Sequence, residues 1–129
     1  MKKILHLSMG GTISGCETDY PQIEKLAQFF PNSVDIEVYF THSMKIPAEY
    51  SAKEVCKKDS RGITDDDRKV LLQEIERAYK EGVTDFLITH GTFTMPETGV
   101  FLLKNLKEDL LSEVSIVITG AMYPMNLIG

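Results

Sequence analysis

Apolar residues gather in four short runs along the chain, at residues 4–8, 35–40, 85–89 and 115–119, each bounded by turn-forming residues. The first, third and fourth are nearly continuous in Ile, Val, Leu and Phe, which is what a strand covered on both faces requires. The second alternates Ile36, Val38 and Phe40 with Asp35, Glu37 and Tyr39, the pattern of a less buried edge strand. Between the runs the apolar period lengthens to that of a helix. Residues 21–30 place Ile23, Leu26, Ala27 and Phe30 on one face, with Pro21 in the first turn. Residues 64–81 form the strongest pattern. Thr64 caps it, Asp65, Asp66 and Asp67 load the positive end of its dipole, and Leu71, Leu72, Ile75, Ala78 and Tyr79 form the buried stripe. Gly82 stops it. A third helix starts near Thr94, where Thr-Met-Pro-Glu has the spacing of a capping box closed by Glu97, and turns Val100, Phe101, Leu103, Leu106, Leu110 and Leu111 inward. Residues 42–61 read as the one long irregular segment, a kind that in compact domains is often functional.

This alternation of strand and helix predicts an α/β fold. The expected architecture is a Rossmann-like or flavodoxin-like open, mostly parallel sheet, with helices on both faces and right-handed crossovers. At 129 residues and 43% hydrophobic content, the chain suits a single core. Acidic residues outnumber basic ones 19 to 14, for a net charge of −5, so no basic footprint points to nucleic acid. The apolar runs are too short to span a bilayer. The opening Met-Lys-Lys-Ile-Leu-His-Leu starts like a signal peptide, but Gly10 and Gly11 interrupt it too early, so a cytoplasmic protein without a membrane partner is expected. Cys16 and Cys56 are too few for a disulfide framework and lack metal-ligand spacing.

In open parallel sheets, ligands bind beyond the carboxyl ends of the strands, so the chemistry should lie in the loops that follow them. After the first strand comes Ser8-Met9-Gly10-Gly11-Thr12, glycines that admit a ligand to the backbone, then a hydroxyl. The spacing is neither a dinucleotide fingerprint nor a P-loop. After the third comes Thr89-His90-Gly91-Thr92-Phe93-Thr94, hydroxyls and an imidazole leading into a helix N-terminus, which favours an anion or a developing oxyanion. Taken singly, the first loop is equally well a tight turn. In the second, Thr94 would simply cap the helix and His90 be a hydrogen-bonded core residue. His6, inside the first strand, reads as a core or interface residue, and His42 as exposed.

Taken together, the loops resemble the signatures of the L-asparaginase family, most closely its short-chain, single-domain members. Gly10-Gly11-Thr12-Ile13 resembles T-G-G-T-I, with Met9 where Thr is usual. His90-Gly91-Thr92-Phe93-Thr94-Met95-Pro96-Glu97-Thr98 resembles H-G-T-D-T-M-x-E-T. Thr119-Gly120-Ala121-Met122-Tyr123-Pro124 resembles T/V-G-A-M-R-P, and Lys58-Asp59-Ser60 with Thr64-Asp65-Asp66-Asp67-Arg68 resembles K-D-S-x-x-x-T-D-x-D-R. The resemblance implies hydrolysis of asparagine to aspartate and ammonia, without metal or organic cofactor. By the same resemblance, Thr12 is the nucleophile, assisted by Tyr20, and Thr92 works from the opposite side. Gly11, Asp59, Ser60, Gly91, Phe93 and Ala121 then line the substrate. Ser60 and neighbouring amides would take the α-carboxylate, and the Gly120-Ala121 backbone the amide. The chain departs from the pattern in two places. Phe93 stands where the family has the Asp that pairs with the substrate ammonium and orients the second Thr. The family's catalytic Lys lies beyond the third signature and past Gly129, so residues 1–129 correspond to an N-terminal asparaginase domain that stops short of it. A homologue of impaired catalysis, binding a small carboxylate or serving as a partner subunit, is the alternative reading. Short members of the family are oligomers, and the apolar Met122, Tyr123, Met125, Leu127 and Ile128 near the end add to the expectation of a homodimer.

Overall fold

The computed structural model of the protein describes residues 2–11 and 48–120. The helix expected over 21–30, the strand over 35–40, and Cys16 and His42 lie outside the described residues. Within them, β1 (Lys2–Gly10), β2 (Ala48–Lys58), β3 (Asp85–Thr89) and β4 (Ser115–Thr119) form one sheet in the order β2-β1-β3-β4. Every pairing is parallel, and the fold is the α/β arrangement that the alternation predicts. Side chains alternate across the sheet, so its register sorts them into faces. Leu5, Phe86 and Ile116 lie level on one face, and Leu7, Ile88 and Ile118 form the next rung.

That face carries the core. Helix α1 (Asp65–Lys80) buries Leu71, Ile75 and Ala78, α2 (Met95–Asn105) buries Leu102, and α3 (Glu108–Glu113) buries Leu110. Helices α1 and α2 touch each other, α1 also meeting β2 and α2 meeting β4. Lys53, in register with Leu7, reaches Glu74 of α1 at 2.8 Å, which places that helix over the Leu5–Leu7 side. Each fully buried Leu or Ile here contributes about 1.5–3 kcal/mol relative to exposure, enough to fix which face is covered. The described helices thus cover one face.

Helix α1 starts as its sequence dictates. Thr64 and Asp67 form a reciprocal capping box, the Thr64 backbone N–H donating to the Asp67 carboxylate at 2.9 Å. Gly82 closes it at φ +96°.

Three expectations are corrected. Most of the stretch read as irregular is strand: Ala48–Lys58 pairs with β1 along nearly its whole length. Its sequence has no apolar run, because a strand at the end of the described sheet keeps Glu49, Ser51, Lys53 and Glu54 in water. The helix expected from Thr94 to Leu111 is two helices, with extended backbone at Leu106 and Lys107. Eighteen helical residues would span about 27 Å, whereas β3 with its 5 residues returns only about 17 Å. The 11 residues of α2 match the strand and the chain must then turn. Within α2 the buried face carries Thr98 and Leu102, which leaves Val100 and Leu103 exposed rather than inward, Leu103 at 69%. Finally, Thr94 makes no side-chain cap bond to α2. Its hydroxyl donates instead to the Ser60 carbonyl at 2.6 Å.

Candidate active site at the carboxyl ends of the strands

Chain order leads from β1 outward to β2 and then back to β3 on its other side. The crevice between the carboxyl ends of β1 and β3 is therefore the switch point of the sheet. Beyond Ser8 the register of β1 on β2 shifts, and Gly11 N–H donates to the Lys58 carbonyl at 3.1 Å. This brings the exit of β1 beside the Asp59–Ser60 turn. Gly11 sits at φ +85°, and a Cβ there would lie 2.4 Å from Gly91 N. Gly91 in turn packs so closely on Ser60 that its own Cβ would stand 2.6 Å from the Ser60 Cβ. Only glycine permits both approaches. A Cβ at Gly120, after β4, would lie 2.5 Å from the His90 carbonyl oxygen. Gly11, Ser60, Gly91 and Gly120, separated by up to 109 positions in the chain, thus meet in one place.

Side chains tie the segments together. Ser60 is buried, and its hydroxyl oxygen accepts from Thr94 N–H at 3.2 Å. Asp59 faces Arg61: its carboxylate accepts from the Arg61 backbone N–H at 2.9 Å and from Nη2 at 3.0 Å. The hydrogen bond from the Arg61 side chain holds the Asp59 carboxyl below the usual carboxylate range, so this site wall carries a paired anion and a guanidinium. Thr92 and Phe93 are exposed, Phe93 at 73%, so its ring is no part of the core.

His90 is fully buried, as the plainer reading of its loop supposed. Its Nδ1 lies 2.6 Å from the Gly91 carbonyl oxygen and its Nε2 2.8 Å from Thr98 Oγ1. Burial pushes its pKa below the usual imidazole value of 6.5, so it is neutral at pH 7. His6 is likewise buried, with Nε2 2.7 Å from Thr89 Oγ1.

Of the residues expected at the site, the structure brings together Gly11, Asp59, Ser60, Gly91, Thr92 and Phe93. Thr12, Tyr20 and Ala121 lie outside the described residues. Sequence reasoning missed Arg61, Arg68, Thr94 and Thr98. Arg68, Thr94 and Thr98 stand at matched positions of the two longer signatures and Arg61 at a variable one, but no spacing rule links Arg68 to Thr98 across 30 residues.

The fold is an open parallel α/β sheet, a class in which ligands bind beyond the carboxyl ends of the strands at the switch point. The family model "Asparaginase, N-terminal" matches residues 3–129, and the chain belongs to the asparaginase family. It is 32% identical over 130 residues to "Probable L-asparaginase 4" of Schizosaccharomyces pombe, covering 95% of this chain and 33% of that protein. Over 126 residues it is 32% identical to "Probable L-asparaginase periplasmic" of Haemophilus influenzae, covering 96% of this chain and 34% of that one. Among solved structures, the probable cytoplasmic L-asparaginase of Campylobacter jejuni superposes with a TM-score of 0.75 at 27% identity, covering 98% of this chain and 36% of its own. The chain therefore spans about a third of the length of the relatives it matches.

Proposed function

We propose that this chain belongs to an amidohydrolase that converts L-asparagine, or a related small side-chain amide, and water to the carboxylate and ammonia. The observation that carries the reading is the convergence of Gly11, Ser60 and Gly91 at the switch point with Thr92 exposed beside them. An amide carbonyl is a poor electrophile, so its hydrolysis needs an activated nucleophile and donors for the tetrahedral oxyanion. In this reading Thr12, next to Gly11, attacks the amide carbon with Tyr20 assisting. The Thr12 hydroxyl proton passes to the amide nitrogen, which leaves as ammonia as the C–N bond breaks. Water then cleaves the resulting ester and restores the Thr12 hydroxyl. Thr92 acts from the other side, and the Gly120-Ala121 backbone contacts the amide. Ser60 still has a hydroxyl proton to donate to an α-carboxylate, and Arg61 adds positive charge beside it.

The test is ammonia release from asparagine and glutamine, compared with a Thr12→Ala control. Release above that control is the expected result, and none would reject the reading. Calorimetric binding of aspartate without turnover would select the impaired homologue instead.

We place the protein in the cytoplasm as a homodimer. The name of the Campylobacter jejuni neighbour supports that location and the name of the Haemophilus influenzae relative opposes it, so cell fractionation decides. Among the described residues, no helix is long and apolar enough to cross a membrane.

A further inference from the structure

Behind the Thr92 loop runs a line of buried polar side chains that the proposed reaction does not use. Arg68, from the first turn of α1, is almost wholly buried, and its Nε–H donates to Thr98 Oγ1 at 2.9 Å. Its Nη1 donates to Asp65 at 2.9 Å. Thr98, in α2, has no exposed surface, and neither has His90. An arginine can only donate. The Gly91 carbonyl can only accept, so the hydrogen of the neutral His90 ring sits on Nδ1. Thr98 Oγ1, which accepts from Arg68, donates its own proton to His90 Nε2. Nε2 then carries no hydrogen, and Nδ1–H donates to the Gly91 carbonyl. Every step runs in one direction, from a guanidinium to the Gly91–Thr92 peptide.

We propose that Arg68 and Thr98 are positioning residues which, through His90, fix the Gly91–Thr92 peptide and so set where Thr92 stands in the site. The close approach of Gly11 and Ser60 fixes where Gly91 lies, but not how its peptide plane is turned. The hydrogen bond to its carbonyl supplies that second constraint, and polarises the peptide so that Thr92 N–H becomes a stronger donor. Stability alone does not account for the arrangement. An apolar side chain of similar volume would fill the place of Arg68 without the cost of taking a cation out of water. The value of the inference to catalysis rests on the proposed amide hydrolysis, whereas the relay itself does not.

The experiment is NMR on the full chain with labelled histidine and backbone. His90 is expected to be neutral with its proton on Nδ1; a proton on Nε2 would overturn the relay. Thr98→Val should release that tautomer and shift the Thr92 amide resonance, and Thr98→Ser should preserve both. A Thr98→Val protein that melts earlier but keeps the parent tautomer and Thr92 resonance would show a merely structural role and overturn the proposal. Should Thr98→Val fail to fold, Arg68→Met removes the head of the relay instead, and unchanged His90 signals there would overturn it equally. Where asparagine is turned over, Thr98→Val should lower kcat by on the order of tenfold to a hundredfold with KM little changed, and Thr98→Ser should restore it. Absent turnover with the tautomer pattern intact counts against the proposed function and leaves the relay standing.

Discussion

Phe93 occupies the position where the matched signature of the family carries an acid, and its ring is 73% exposed at the end of β3. A site for a free amino acid must neutralise both an α-carboxylate and an α-ammonium, because either left unpaired away from water is costly. A phenyl face attracts an ammonium only weakly. Loss of one partner of a desolvated pair costs ~2–5 kcal/mol. Asparagine should therefore bind weakly, and succinamic acid, which lacks the ammonium, should lose little by comparison. Phe93→Asp should shift preference back to asparagine, and because the ring packs on no core, it should do so without unfolding the chain. Equal affinities for the two ligands in both proteins, measured by calorimetry, would dismiss this account. His90 leads to a different measurement. Its folded pKa lies below 6.5 through burial, so the unfolded chain binds more protons as pH falls. Stability from this residue is fully present above about pH 7 and lost as pH drops through 6.5 toward the folded value. Urea melts at several pH values should show that slope, and His90→Gln should flatten it.

At the scale of elements, two glycines separate backbone strain from lack of space. Gly82, after α1, sits at φ +96° with nothing within 4 Å of a Cβ, whereas Gly11 has both a positive φ and the Gly91 backbone 2.4 Å away. Gly82→Ala should cost about 1–2 kcal/mol, the price of left-handed backbone alone. Gly11→Ala should cost that plus roughly 1–3 kcal/mol of overpacking, and should abolish ligand binding by pushing β1 and β3 apart. Equal losses in chemical denaturation would show that the crevice yields. The contrast also marks how far the sequence could be read. Helix α1 was legible from Thr64 to Gly82 because cap, acidic first turn, stripe and stop all agree. Strands β1 and β3 were legible because their buried positions demand apolar residues. Strand β4 carries the same apolar run although none of its residues is buried among the described ones, so the expectation that it is covered on both faces is not met. Strand β2 was hidden, since it keeps Glu49, Ser51, Lys53 and Glu54 in water and carries no apolar run. The break at Leu106 answers to the length of a neighbouring strand, which local periodicity does not encode. The site followed the same division. Glycine and hydroxyl signatures marked the loops, while the approach of Gly11 to Gly91, and of Arg68 to Thr98, exists only once the sheet has formed.

On the scale of the whole molecule, β4 ends the described sheet with one long edge unpaired among the described strands. Beside it, a groove of about 320 Å³ is lined by Leu102, Leu103, Leu111, Val114, Ile116 and Ile118, and Val117 stands 56% exposed on the opposite face. Such an edge with apolar flanks invites pairing, and no Pro or Lys within β4 guards it. In relatives about three times as long, further chain is available to lie against this side. A second copy of the chain can also cover it, and two-fold symmetry lets the same edge serve both subunits. The expected mass from light scattering at micromolar protein is therefore that of a dimer. Val117→Lys, which adds a charge at the edge while leaving the Gly11–Gly91 crevice untouched, should shift the mass toward monomer. A monomer mass for the parent chain would refute the homodimer, and a dimer unmoved by Val117→Lys would place its contact on another surface.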